Sequence, residues 1–142
     1  MKRIIYFIIL LLIIITIFIA SSKNSYNSNK TSKGLIKQIV IIYEKISNKK
    51  VNYKNIIKKY NPIVRKIAHF TIFMLLGIFI YLFLSTTNIN NKLIISIIIS
   101  IFFAIIDETH QIFTYGRTAL ITDVLIDSLG SITGIFIINK KI

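Results

Sequence analysis

Four long apolar runs, at 4–20, 67–84, 93–106 and 119–138, dominate the sequence. A helix needs about 20 residues to cross a hydrocarbon core about 30 Å thick. The first, second and fourth runs reach or approach that length, and the third does so once its polar tail through Phe113 is added. Inside lipid only a helix or a closed barrel satisfies every backbone N–H and C=O, and these runs lack the alternation of barrel strands. The expected fold is therefore an all-α integral membrane protein with four transmembrane helices, near 4–20, 62–84, 93–113 and 119–138. At 142 residues the chain is expected to form a single domain, 1–142, with a long amphipathic first loop at 21–61.

Lys2 and Arg3, the first run and Ala20-Ser21-Ser22 together imitate a cleaved signal peptide. The run has 17 residues, more than the about 7–15 of a signal core, which favours a retained helix. The absence of cysteine excludes disulfides and thiolate metal ligands. A net charge of +13 raises the question of nucleic acid. The lysines, however, flank apolar runs, where ammonium groups meet anionic lipid headgroups; the expected partner is the bilayer and no nucleic acid is expected.

Between the first two runs, twelve Lys and Arg stand against one acid, Glu44. Leu35, Ile36, Ile39, Ile42, Tyr43 and Ile46 recur there at helical spacing among lysines, and Tyr53, Ile56, Ile57 and Tyr60 repeat the pattern. Such a segment lies in the membrane interface or packs as a helix on the bundle. Asn61-Pro62 reads as an N-cap followed by proline at the first helical position, which sets the start of the second span.

Alternation of four spans puts the start of the second, the end of the third and the start of the fourth on one membrane face. Arg65, Lys66 and His69 thereby join Asp107, Glu108, His110, Gln111, Arg117, Asp123 and Asp127. Four of the five acids fall between residues 107 and 127, where the only base is Arg117. At 1.5 Å per residue, His69 lies about 10 Å along the second span, and Asp123 and Asp127 about 6 and 12 Å along the fourth. Acids at such depths cost up to about 2.5–3.5 kcal/mol each unless they face one another, water or a cation, so they are expected to point inward.

Stripes support that direction. Asp123, Asp127, Gly130 and Gly134 share one helical face, and Gly130-x-x-x-Gly134 permits close approach of another helix. Ser96, Ser100 and Ala104, then Asp107 or Glu108, then Gln111 form a second small-and-polar stripe, and Lys66, His69 or Phe70, Phe73 and Gly77 a third. Plainer roles exist for each residue. His69 could hydrogen-bond between helices, Arg117 could pair with Asp123, and Arg65 and Lys66 could anchor the interface.

Arg65-Lys66-Ile67-Ala68-His69-Phe70, Asp107-Glu108-Thr109-His110-Gln111-Ile112-Phe113, Gly116-Arg117, and Asp123-Val124-Leu125-Ile126-Asp127 with Gly130 and Gly134 stand in an order that resembles the VanZ-like family. That family of bacterial membrane proteins is named for a teicoplanin-resistance protein. The chain departs from its pattern at Ile72 and Phe73, where an aromatic hydroxyl or carboxylate is frequent, and at Tyr115, where a proline commonly precedes Gly-Arg. The resemblance implies a multi-pass protein of the bacterial cell membrane linked to envelope physiology and, in some members, to glycopeptide susceptibility.

Three functions fit these residues. In the first, the site binds a phosphorylated lipid or peptidoglycan-precursor headgroup through Arg65, Lys66, His69, Asp107, Glu108, Gln111, Arg117, Asp123 and Asp127. Arginine there can hold a phosphate in a bidentate manner. In the second, a membrane enzyme acts on a phosphorylated lipid, with His69 and Glu108 as acid–base candidates and Asp107, Asp123 and Asp127 holding a divalent cation such as Mg²⁺. No nucleophile stands out. In the third, a homo-oligomer forms a small transporter. Thirteen bases lie on the face of the cluster and five on the other, which by the positive-inside rule argues for the cytoplasm; the family resemblance implies an external cluster.

Overall fold

The computed structural model describes residues 1–141, and every regular element among them is an α-helix. Ile142, the last residue of the expected domain, lies outside the described residues. The helices are α1 (Lys2–Ser21), α2 (Ser25–Ser47), α3 (Tyr53–Leu84), α4 (Lys92–Ile112) and α5 (Ile121–Asn139). Of these, α1, α3, α4 and α5 are long and apolar enough to span a membrane, as the four runs led one to expect.

One boundary differs from the sequence reading. Asn61-Pro62 does not start a helix: α3 begins nine residues earlier at Tyr53 and carries Pro62 in its interior. Its N-cap is Asn52, whose side-chain oxygen accepts the Asn55 N–H at 3.3 Å. The Asn61 side chain is used laterally instead, donating to Asn29 Oδ1 at 2.9 Å and accepting from the Ser32 hydroxyl, both on α2. Proline has no N–H to give the helix, so this tertiary anchoring holds a turn that local propensity would end. With 32 residues, α3 runs about 48 Å, more than a bilayer core, and its first turns extend Lys54, Lys58 and Lys59 beyond the hydrocarbon.

The segment before α3 is helical from Ser25. Asn24 caps α2 by accepting the Asn27 N–H at 2.9 Å. Asn48 in the left-handed region ends it, and Glu44 accepts the Val51 N–H across the turn into α3. Ser32, Ile36 and Val40 are buried, and α2 packs on α3; Leu35, Ile39, Ile42, Tyr43 and Ile46 stay exposed. One face of α2 is thus packed on the bundle, and the opposite, apolar face is open.

The membrane bundle is organised around α3. Ile13 and Ile17 of α1, Phe73, Leu76, Ile80 and Leu84 of α3, and Ala104 of α4 form its apolar core. Helix α5 packs parallel to α3 without bulky side chains between them. A Cβ at Gly130 would collide with the Phe70 carbonyl, one at Gly134 with the Met74 carbonyl, and one at Gly77 with the Ser131 carbonyl. The Ser131 hydroxyl donates to the Phe73 carbonyl at 3.0 Å, so small residues and a hydroxyl make this contact, as in other membrane helix pairs. Large side chains such as Ile98, Phe102, Leu125 and Leu129 point outward, the arrangement expected where lipid is the solvent.

Candidate polar site between the spans

The parallel register of α3 and α5 decides which polar groups meet. With Gly130 seated on Phe70, the turn before it brings Asp127 to His69, and Asp127 Oδ2 lies 3.5 Å from His69 Nδ1. Antiparallel α4 supplies Asp107, whose Oδ2 is 4.0 Å from the same nitrogen. Asp127 is 0% exposed and Asp107 2%. Three helices therefore place an imidazole between two carboxylates inside the bundle.

A polar chain leads outward from this centre. Gln111 Nε2 donates to Asp107 Oδ2 at 2.8 Å, and Arg117 Nη1 donates to Gln111 Oε1 at 2.7 Å. Gly116, at φ +74°, turns the α4–α5 loop so that Arg117 folds back over the site; glycine carries such a φ without strain. Burial lowers the pKa of the Arg117 guanidinium from its ordinary value, and the nearby Arg65 charge adds to that; Asp107 and Glu108 oppose it. No ion pair joins Arg117 to Asp123 among the described residues. Asp123 instead meets Lys66 at 3.4 Å, half exposed to the surroundings.

Glu108 turns away from this centre. Its Oε1 accepts the Leu120 N–H, which ties the end of α4 to the start of α5. It lines neither of the two larger cavities. His110 likewise faces α1, with Nε2 3.0 Å from Ser22 Oγ and its ring tilted against that of Phe18, centroids 4.7 Å apart. The helix ends bring these residues to one end of the bundle, and their spacing in the sequence could not say which way each side chain turns.

Two cavities meet at the site. A polar one of about 200 Å³ is lined by Arg65, Lys66, His69, Gln111, Arg117, Asp123 and Asp127. Ser25, Gly116 and Thr118 also line it. A second, of about 260 Å³, lies between α1, α2 and α3, with Ile17, Leu35, Val64, Ala68, Ile72 and Phe73 along its wall. Arg65, His69 and Arg117 belong to both. Sequence reasoning missed the second cavity. Its wall mixes those apolar side chains with Thr16, Lys23, Ser28, Thr31 and Ser32, brought together from α1, α2, α3 and the turn after α1, and no spacing rule reports which helices are neighbours.

The fold and this arrangement define a multi-pass, all-α membrane protein with a carboxylate–imidazole centre under a set of basic side chains. The chain belongs to the VanZ/LLP1 family, whose profile matches residues 5–140. No curated protein and no solved structure gives a significant match to it.

Proposed function

We propose that this protein is a cell-envelope membrane protein that binds a phosphorylated lipid, or a lipid-linked peptidoglycan precursor, by its headgroup at the intramembrane polar site. One observation carries the reading: a polar cavity and an apolar groove share Arg65, His69 and Arg117. An amphiphile needs both environments side by side, with its charge at the junction. A phosphate there meets Arg65, for which no ion pair is found among the described residues, and Arg117, whose one donated side-chain bond under 3 Å goes to a neutral amide. Guanidinium groups suit phosphate oxygens in both charge and geometry. The exposed apolar face of α2 and its lysines suit an anionic headgroup layer beside the site.

The test uses the purified full chain in nanodiscs of neutral lipid, titrated with a polyprenyl phosphate and with the matching polyprenol. Saturable binding of the phosphate form, at least tenfold tighter than the alcohol and weakened tenfold or more by Arg65→Ala or Arg117→Ala, is expected. Equal affinity for the two amphiphiles would remove the reading. Location in a bacterial cell membrane and an effect on teicoplanin susceptibility follow from the family resemblance as parts of the same proposal. Deleting the gene and measuring glycopeptide susceptibility checks the latter.

A second reading, an enzyme acting on a phospholipid or polyprenyl phosphate, draws support from His69 lying between two carboxylates. Product formation from the bound lipid, lost in His69→Ala, separates it from stoichiometric binding.

A further inference from the structure

We infer that His69, Asp107 and Asp127 form a binding site for one divalent transition-metal ion of the Zn²⁺ type. The inference stands on the geometry of these three side chains and is independent of the lipid-binding proposal.

Each residue offers one ligand atom, from a different helix, and the three atoms lie within 4.8 Å of one another. Zinc takes nitrogen at about 2.0–2.1 Å and carboxylate oxygen at about 2.0–2.2 Å, which puts two ligands of one tetrahedral ion about 3.4 Å apart. The His69–Asp127 pair, at 3.5 Å, already has that separation. The His69–Asp107 pair, at 4.0 Å, closes to it by a small side-chain rotation.

A second observation points to a ligand. Asp127 is fully buried, yet neither of its carboxylate oxygens has a hydrogen-bond partner; the same is true of Asp107 Oδ1 and His69 Nδ1. Beyond the 3.5 Å approach of His69 to Asp127 and the Gln111 bond to Asp107 Oδ2, these buried oxygens are short of partners, and buried carboxylates are normally paired or hold a metal. The surrounding cations do not meet the need: Lys66 is engaged by Asp123, and Arg117 reaches Asp107 only through the neutral Gln111 amide. Protonation of His69 neutralises one of the two carboxylates. One divalent ion with a neutral imidazole neutralises both.

The donor set selects the ion. Magnesium prefers oxygen ligands in a near-ideal octahedron and keeps several waters, whereas one imidazole and two carboxylates suit Zn²⁺ and its neighbours in the transition series. Three protein ligands also leave a coordination position open, and His69 and Asp127 line the polar cavity. Gln111, bonded to Asp107 Oδ2, orients that carboxylate as outer-sphere partners of metal ligands do. Asp123, an attractive candidate by its spacing from Asp127, belongs to Lys66 and is not a ligand.

The experiment is a Zn²⁺ titration of chelator-stripped, tag-free full-length protein in nanodiscs, followed by metal analysis after gel filtration. One ion per chain at micromolar free Zn²⁺ is expected, with affinity lowered a hundredfold or more by Asp127→Asn or His69→Ala and unchanged by Asp123→Asn. No uptake by the wild type, or uptake unaffected by Asp127→Asn, overturns the site. Should those variants fail to fold, X-ray absorption of the Zn²⁺-loaded wild type decides. A four-coordinate shell with one imidazole supports the assignment, and a shell without imidazole overturns it.

Discussion

His69 and Glu108 carry the chemistry that most suggests a reaction, and their surroundings separate them. His69 sits between Asp107 and Asp127, while Glu108 spends Oε1 on the Leu120 N–H at the entry to α5. Removing the acceptor of a buried N–H leaves that donor unsatisfied, at a cost of about 1–3 kcal/mol. Glu108→Ala is therefore expected to lower stability by about that amount. Glu108→Gln, which keeps an acceptor oxygen, is expected to retain fold and lipid binding; denaturant unfolding in micelles measures both. Loss of binding in a fully stable Glu108→Gln protein would return Glu108 to the site. The residue types of the cluster were legible because acids are rare in this chain and concentrate where apolar sequence would otherwise continue. Their pairings were not. The spacing of Asp123 and Asp127 puts both on one stripe, but Lys66, at the outer level of α3, takes the first and leaves His69 to the second.

Among the elements, α5 shows how far a pattern can be read. Gly130-x-x-x-Gly134 announces a close helix contact, and the contact is with α3, over the Phe70 and Met74 carbonyls. A methyl group at either position strikes backbone, which cannot move aside as a side-chain tip can. Gly130→Ala is thus expected to destabilise the bundle by about 1–3 kcal/mol, read from denaturant unfolding in micelles, and to weaken any ligand of the His69–Asp127 pair, since Gly130 sets their separation. An unchanged midpoint would mean that α3 and α5 are not in van der Waals contact there. The start of α3 was misread for an instructive reason. Asn52 and Asn61 are both competent N-caps, and Pro62 adds a local signal for the second. Only the neighbouring α2, whose Asn29 and Ser32 engage the Asn61 amide, decides between them.

At the scale of the molecule, the helix ends gather into one site charged residues that lie up to 62 positions apart in the chain, Arg65 to Asp127. Alternation made that gathering readable in advance. The apolar groove was not, because it depends on α2 folding back along α3 beside α1. The account as a whole requires that groove and the polar cavity to serve one amphiphile, and photolabelling tests this most directly. A polyprenyl phosphate analogue with a diazirine in its first isoprene units is bound to the protein in nanodiscs, irradiated, and its attachment sites are mapped by mass spectrometry. Labelling concentrated on Ile17, Leu35, Val64 and Ile72, and abolished by excess unlabelled polyprenyl phosphate, is predicted. Labelling spread over the outward-facing Ile98, Phe102, Leu125 and Leu129, and indifferent to competitor, would contradict it.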